Sequence, residues 1–270
     1  MSHRPAWAPE DIDMECPAPA RMYDYYLGGS HNFAADRALA AQAMAVWPDS
    51  PHIARANRAF LRRAVAFACA RGIDQFLDLG SGIPTSGNVH EIASELSPAA
   101  RTLYVDNDPV AVAHSRNLLA DTATAAVVHA DLRDTELVLA AAADRLDPAR
   151  PVAVLMFAVL HFVPDDDDPA GVVEAYRAAT VPGSLLAVSH ATNDYEPERL
   201  GEMEDVYRAA SAGLTGRSHA GITALLSGYD VVPPGLVSMI EWRPDAGSPP
   251  DPLGGDVRRY SAYAAVGLRR

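Results

Sequence analysis

After Gly72 the chain alternates short apolar runs with helix-period segments, and this alternation restricts its fold more than any other feature. Residues 75–79, 102–105, 125–129, 152–157 and 184–189 read as strands, with helical patterns to about residue 96 and over 109–120, 135–143 and 170–179. Strands that alternate with helices call for a parallel sheet covered on both faces. Runs such as Val-Ala-Val-Leu-Met-Phe, without polar alternation, suit strands buried on both sides. A helical stretch to about Ser211 follows, then a helix capped by Ser218, a strand near 229–232, a Pro-Pro-Gly turn and a last apolar run at 260–268. No long helix separates the last two strands, so the sheet is expected to end antiparallel. The expected fold class is α/β: a Rossmann-like, doubly wound, seven-stranded sheet with its last strand antiparallel and a helical N-terminal extension.

Three segments are expected. Residues 1–19, rich in proline and acids without a period, read as a flexible arm. Residues 20–72 read as a helical extension forming a lid and cap over the site, and residues 73–270 as the ligand-binding sheet domain. In the extension, Ile53, Ala56, Phe60, Ala64, Phe67 and Ala68 mark one helix, with Ser50 as its N-cap, Pro51 at its first position and Gly72 at its end. Residues 243–257, rich in Pro, Gly and Asp, read as a surface loop.

Composition removes several function classes. Lys and Arg total 22 against 35 Asp and Glu, a net charge of −13, which opposes general binding to nucleic acid or anionic membranes. Cys16 and Cys69 are too few for a disulfide framework or a zinc site. The start of the chain has no apolar h-region, and the longest apolar run, 152–163, is shorter than the roughly 20 residues that span a bilayer. Every basic residue is arginine, as coding bias in a GC-rich bacterial genome would produce. A bacterial, cytoplasmic protein is expected.

The chemistry gathers at the carboxyl ends of the expected strands, the edge where open α/β sheets bind ligands. Asp78 ends the first strand before a Gly80-Ser81-Gly82 turn and a helix. Glycines there let backbone approach a ligand, and the following helix offers N–H groups. The same pattern also serves as a plain tight turn. Asp106, at the end of the second strand, is placed to accept hydrogen bonds from both hydroxyls of an adenosine ribose, with Asn107 beside it. Asp108 and Pro109 read as the N-cap and first residue of the next helix. Asp131, followed by Leu132, either accepts from an adenine amino group or caps a helix. Phe157 and Ala158 leave the fourth strand, and His161 after them is either a general base or a wall of the pocket. His190 is a second base candidate, while His129 reads as core and His52 as surface. The four acids at 165–168 read as a solvated loop feeding a helix N-terminus, so no metal site is expected.

Taken together, Asp78-Leu-Gly-Ser-Gly, Asp106, Ala130-Asp131-Leu132 and Phe157-Ala-Val-Leu-His161 resemble the first four motifs of class I SAM-dependent methyltransferases. The segment Ala20-Arg-Met-Tyr-Asp-Tyr-Tyr-Leu-Gly-Gly-Ser-His-Asn-Phe33, with Asp36-Arg37, Pro84-Thr85, Asn88-Val-His-Glu91 and Tyr104-Val-Asp-Asn-Asp-Pro109, resembles a narrower group. That group is the actinobacterial S-adenosyl methyltransferase family, first catalogued as a domain of unknown function. The resemblance runs from about residue 17 to 268 and departs from the broad pattern at Pro84, where a third glycine is usual. It implies a methyltransferase with S-adenosylmethionine as cofactor, S-adenosylhomocysteine as product and a small molecule as acceptor. Asp78 and Gly80–Gly82 would border the methionine part, Asp106 and Asn107 the ribose, Asp131 and Leu132 the adenine, with Phe157 and Ala158 alongside. Apart from the resemblance, three tyrosines, Gly28-Gly29 and Asn32 lie close together in Arg21–Asn32, which either folds over the site, with Tyr23 and Asn32 donating to the methionyl carboxylate and Tyr26 or His31 facing the acceptor, or merely packs on the sheet's edge. A nicotinamide-dependent oxidoreductase and a non-catalytic SAM sensor are the alternative readings. The Asn/Asp-Pro-Pro-aromatic motif of enzymes that methylate base amino groups is absent, and nothing in the sequence sets an oligomeric state.

Overall fold

In the computed structural model, which describes residues 5, 7–9, 12–84, 87–246 and 251–270, each expected apolar run is a strand. The chain runs α1 (Pro19–Tyr26), α2 (Ala34–Val46), α3 (Ser50–Ala70), β1 (Gln75–Leu79), α4 (Val89–Leu96), β2 (Arg101–Asp106), α5 (Pro109–Leu118) and β3 (Ala125–His129). It continues through α6 (Thr135–Ala143), β4 (Ala153–Phe157), two short 3-10 turns, α7 (Pro169–Ala179), β5 (Leu185–Ala191) and α8 (Pro197–Tyr207). α9 (His219–Leu225), β6 (Tyr229–Val231), β7 (Val237–Ser238), α10 (Val257–Tyr260) and β8 (Ala262–Arg269) complete it. The sheet order is β3-β2-β1-β4-β5-β8-β6, with β1 to β5 parallel and β8 antiparallel to both neighbours. The two-residue β7, paired with β8, is an eighth strand that a periodicity reading has too few residues to detect.

Side chains leave a strand on alternating sides, so an unbroken apolar run feeds two cores. Phe76 and Leu155 join Phe60, Leu61, Ala64 and Ile92 on one face. Leu77, Val154 and Met156 join Val138, Val173 and Tyr176 on the other. α3 therefore belongs to the sheet's own layer, and the expected 20–72 unit divides there. A third apolar cluster unites α1 and α2 with α8 and the start of α3 through Met22, Tyr26, Leu39, Ala43, Trp47, Ala54, Leu200, Met203 and Tyr207, and meets the first core at Ile53. Helices α1, α2 and α8 form the roof.

The described part of the 1–19 arm is packed rather than loose. Trp7, Ala8, Ile12 and Met14 lie against Phe33, Ile83, Val110 and Ala111, with the Trp7 ring stacked on Phe33 at 5.2 Å. Burial of these apolar side chains is what holds a segment that has no backbone ladder. Asp49, not Ser50, occupies the N-cap position of α3, because the Ser50 hydroxyl turns back to donate to the Trp47 carbonyl at 2.7 Å. Residues 247–250 of the expected surface loop and Thr85 of the N-terminal motif set lie outside the described residues. Among the described residues, no helix is long and apolar enough to cross a membrane.

Candidate active site

The carboxyl edge of β1 and β2 is shaped by positive backbone angles and buried carboxylates. Gly80 has φ +72°, and a Cβ there would overlap the Val159 side chain, so only glycine fits. Gly80 and Ser81 donate their N–H groups to the Val105 carbonyl, while Gly82 donates to Asp106 Oδ2 at 2.7 Å. Asp106 Oδ1 accepts from Asp108 N–H at 2.8 Å. The next helix, α4, begins only at Val89, behind its own Asn88/Glu91 capping box, so it offers no N–H groups at the turn. Pro84 falls in the intervening segment. Asp108 caps α5 as expected, accepting from Val110 and Ala111.

Asp78 differs from Asp106. Its carboxylate lines the cavity and has no hydrogen-bond donor among the described residues. Burial raises its pKa to about 7, with Arg58 opposing and Asp106 adding to the rise. Asp106 is raised to about 6 by burial, tempered by the N–H groups of Asp108 and Gly82. Two buried acids that disfavour their own charge form a place for a cationic ligand group. On the far side, Asp131 is held by Arg133 and by Asn107 Nδ2 at 3.2 Å. The hydrogen bonds from Arg133 lower its pKa, and the helix cap once open to it belongs to Asp134.

A chain of hydrogen bonds ties the end of β4 to the roof. Ala158 sits in the left-handed region, φ +50°, a conformation that costs a non-glycine residue about 1 kcal/mol or more. Its N–H donates to Ser189 Oγ at 2.9 Å, and Ser189 donates to Asn57 Oδ1 at 2.6 Å. Asn57 Nδ2 donates to Tyr23 Oη at 3.1 Å, which in turn donates to the Ala54 carbonyl at 3.0 Å. Every donor in the chain is assigned. The hydroxyl of Tyr23, which lines the cavity, thus donates to backbone in this structure.

Beyond Ala158 the wall becomes aromatic. The Tyr26 and Tyr207 hydroxyls lie 3.2 Å apart, and Phe162 packs between His161 and Tyr207 with ring centroids 4.4 and 5.7 Å away. His161 Nδ1 accepts from Ala191 N–H at 3.3 Å. His190 Nε2 accepts from Arg217 at 2.8 Å, and its Nδ1 donates to the Ala191 carbonyl at 2.7 Å. Burial, then His190 and Arg217, push the His161 pKa well below its ordinary value; burial also lowers His190 to about 4. A single cavity of ≈ 490 Å³ runs past all these residues.

The family model described as S-adenosyl methyltransferase matches residues 5–270. The chain belongs to the S-adenosyl methyltransferase family. A crystal structure of a candidate methyltransferase from Thermobifida fusca YX shares 37% identity, covering 98% of this chain and 100% of its own, with a TM-score of 0.91. A DUF574-family protein from Streptomyces avermitilis MA-4680 shares 39% identity over 96% of this chain and 99% of its own, with a TM-score of 0.90. No curated protein matches.

The cofactor of this S-adenosyl methyltransferase is S-adenosylmethionine, and the residues present fit it. Among the described residues, Asp78 offers a carboxylate without a hydrogen-bond donor, Ser81 a buried hydroxyl without a partner, and Ala130 and Leu132 an apolar flank beside Asp106. Of the residues singled out from sequence, Tyr23, Tyr26, Asp78, Gly80, Ser81, Gly82, Asp106, Asn107, Asp131, Leu132, Phe157, Ala158 and His161 line one cavity. Asn32 and His31 are not on its wall. Asp24 accepts from the Asn32 amide at 2.8 Å and the His31 N–H at 2.9 Å, turning both into braces of the loop after α1. The His31 ring lies 3.7 Å from His114 instead. Sequence reasoning passed over Asn57, Ser189, Arg217 and Tyr207. Asn57 had a signal: it is polar on the apolar stripe of Ile53, Phe60 and Ala64. Tyr207 likewise continues the stripe of Leu200 and Met203, whereas nothing local marks Arg217.

Proposed function

We propose that this protein transfers the methyl group of S-adenosylmethionine to a small-molecule acceptor held under α1, α2 and α8. One observation carries the reading. The cavity that begins at Asp78 and Asp106 continues without interruption past Ala158 and His161 to Tyr26, Trp47, Leu200 and Tyr207. An apolar chamber roofed by helices suits a small molecule, and the net charge of −13 opposes a polynucleotide.

When bound, the cofactor supplies an electrophilic methyl carbon on a sulfonium. The chain's residues position and desolvate. In this reading Asp78 pairs with the cofactor's positive end and Asp106 accepts from the ribose hydroxyls. Asp131 and Leu132 border the adenine, although Arg133 competes for Asp131. The roof excludes water, which strengthens those contacts, and displacement then depends on alignment of the nucleophile with the methyl carbon.

Asp106→Ala removes a charged acceptor, a loss of about 1.5–3 kcal/mol, or roughly 10- to 100-fold in affinity. Calorimetry with S-adenosylhomocysteine reads this directly, and unchanged affinity removes the ribose assignment. Incubation with methyl-labelled cofactor and bacterial extract should place label in the small-molecule fraction. Label in nucleic acid or protein overturns the acceptor class.

A further inference from the structure

Among the described residues, the acceptor end of the cavity contains hydrogen-bond donors and no available base. The cavity's carboxylates, Asp13, Asp78, Asp106, Asp108 and Asp131, belong to the arm or the sheet edge; none stands on the roof or on the turn after β4. A neutral imidazole carries one proton. His161 Nδ1 already accepts from Ala191 N–H, so the proton is on Nε2, which makes no side-chain hydrogen bond among the described residues. His190 cannot substitute: arginine only donates, so the His190 Nε2 lone pair is taken by Arg217 and its Nδ1 proton by the Ala191 carbonyl. Ala191 therefore orients both rings, His161 through its N–H and His190 through its carbonyl, with Arg217 locking the second.

The tyrosine pair adds another donor. Two hydroxyls sharing one hydrogen bond leave one proton uncommitted, and both Tyr26 and Tyr207 line the cavity. Neither ionises near neutrality, since burial drives Tyr207 up to about 12 and Tyr26 further. Around these donors the wall is Trp47, Phe162, Leu200 and Met203. Such a site can hold negative charge on a nucleophile but cannot create it. An amine's lone pair is the nucleophile itself, and a facing N–H would tie it up. An oxyanion has lone pairs to spare.

Resting on the methyl-transfer reading above, we infer that the acceptor is an aromatic molecule presenting an already ionised oxygen, an acidic phenol or enol, with His161 Nε2–H and a Tyr26/Tyr207 hydroxyl as its donors. In the step the oxygen–carbon bond forms as the carbon–sulfur bond breaks, that electron pair passes to sulfur, and no proton has to leave. His161 is then a donor that holds the nucleophile, not a general base.

The test uses the full chain. Calorimetry with S-adenosylhomocysteine comes first; no binding there overturns the methyl-transfer reading and this inference with it. The protein saturated with S-adenosylhomocysteine is then titrated with 4-nitrophenol and 4-nitrobenzylamine, with nitrophenolate absorbance reporting the ionised form. The expected result is binding of 4-nitrophenol as the phenolate, at least about ten-fold tighter than the amine. His161→Phe should weaken phenolate binding roughly 10- to 100-fold, while His161→Gln, which retains an N–H donor, keeps most of it. Both variants should bind S-adenosylhomocysteine as the parent does, which also shows that they fold. Absence of nitrophenol binding, binding of the un-ionised phenol, a preference for the amine, or equal damage from Gln and Phe each overturns the inference.

Discussion

At the sheet edge, Asp78, Gly80, Gly82 and Asp106 come from two neighbouring strands whose register sets Asp78 beside Tyr104 and Leu79 beside Val105. Their placement follows from backbone hydrogen bonds. At the roof, Tyr26, Trp47, His161, Leu200 and Tyr207 come from helices and turns scattered along the chain, meeting through side-chain packing and the Tyr26–Tyr207 hydrogen bond. One end is a carboxylate-lined cradle of fixed geometry. The other is an apolar chamber held by a few polar ties. The division suits a fixed cofactor and an acceptor that can change when roof side chains change, with no alteration of the sheet.

The sharpest way to break this comparison is to cut the tie between the two ends. Arg21, 2% exposed, donates to Asp36 Oδ1 at 3.1 Å and lies 3.5 Å from Asp108 Oδ2, linking α1 and α2 to the N-cap of α5. Arg21→Met leaves two buried carboxylates with backbone N–H donors but no cationic partner, so urea unfolding should show a loss of about 3–5 kcal/mol. A loss below about 1 kcal/mol would mean the roof is held by packing alone.

A second prediction separates the ends by pH. Folded Asp78 keeps its proton to about pH 7, whereas its ordinary value is 3.8. The folded state therefore binds more protons across that window, and stability of the unliganded protein falls as pH rises from about 4 to about 7. Binding of the cationic cofactor needs the carboxylate, so its affinity should rise by up to about ten-fold per pH unit below 7 and level off above. Asp78→Asn should make both profiles shallower in melting and calorimetric titrations, leaving the part that Asp106, raised to about 6, contributes at lower pH. Flat profiles in the parent protein would remove Asp78 as the cation's partner.

The smallest effect concerns the Ala158–Ser189–Asn57–Tyr23 chain. Tyr23→Phe removes the acceptor of Asn57 Nδ2 and a donor to Ala54, which should cost about 1–2 kcal/mol in unfolding. S-adenosylhomocysteine affinity should stay within about two-fold, because the Tyr23 proton does not face the ligand. A large loss of affinity would return Tyr23 to the cofactor.

The strands and the carboxylates and glycines at their ends were legible because strands and turns are local: a carboxylate at a strand end and a glycine at a tight turn leave their mark within a few residues, whereas the order of the strands, with β8 between β5 and β6, does not. The roles of Tyr23, Asn32 and His31 were not legible. Which partner takes each proton depends on Ala54, Asp24 and His114, and on how α1 folds back on α3 and α5. Whether His161 donates or accepts was equally hidden, since the Ala191 peptide that decides it lies on another strand. The arm misled for a related reason: its apolar residues have no period, yet Phe33, Ile83, Val110 and Ala111 give them a surface to cover.

The strand made last is not at the sheet's edge. β8 inserts between β5 and β6, matching β5 from Leu185 with Leu268 to Ala191 with Ala262, and the residues just before it, Tyr260 and Ser261, stand on the cavity wall. During synthesis β5 must therefore wait with an open flank until the final segment emerges, and neither the sheet nor its pocket can be completed piecemeal. A chain lacking β8 would have the cradle of β1 and β2 but not the wall that Tyr260, Ser261 and Ala262 supply, so the cavity takes its full form only with the closing of the sheet.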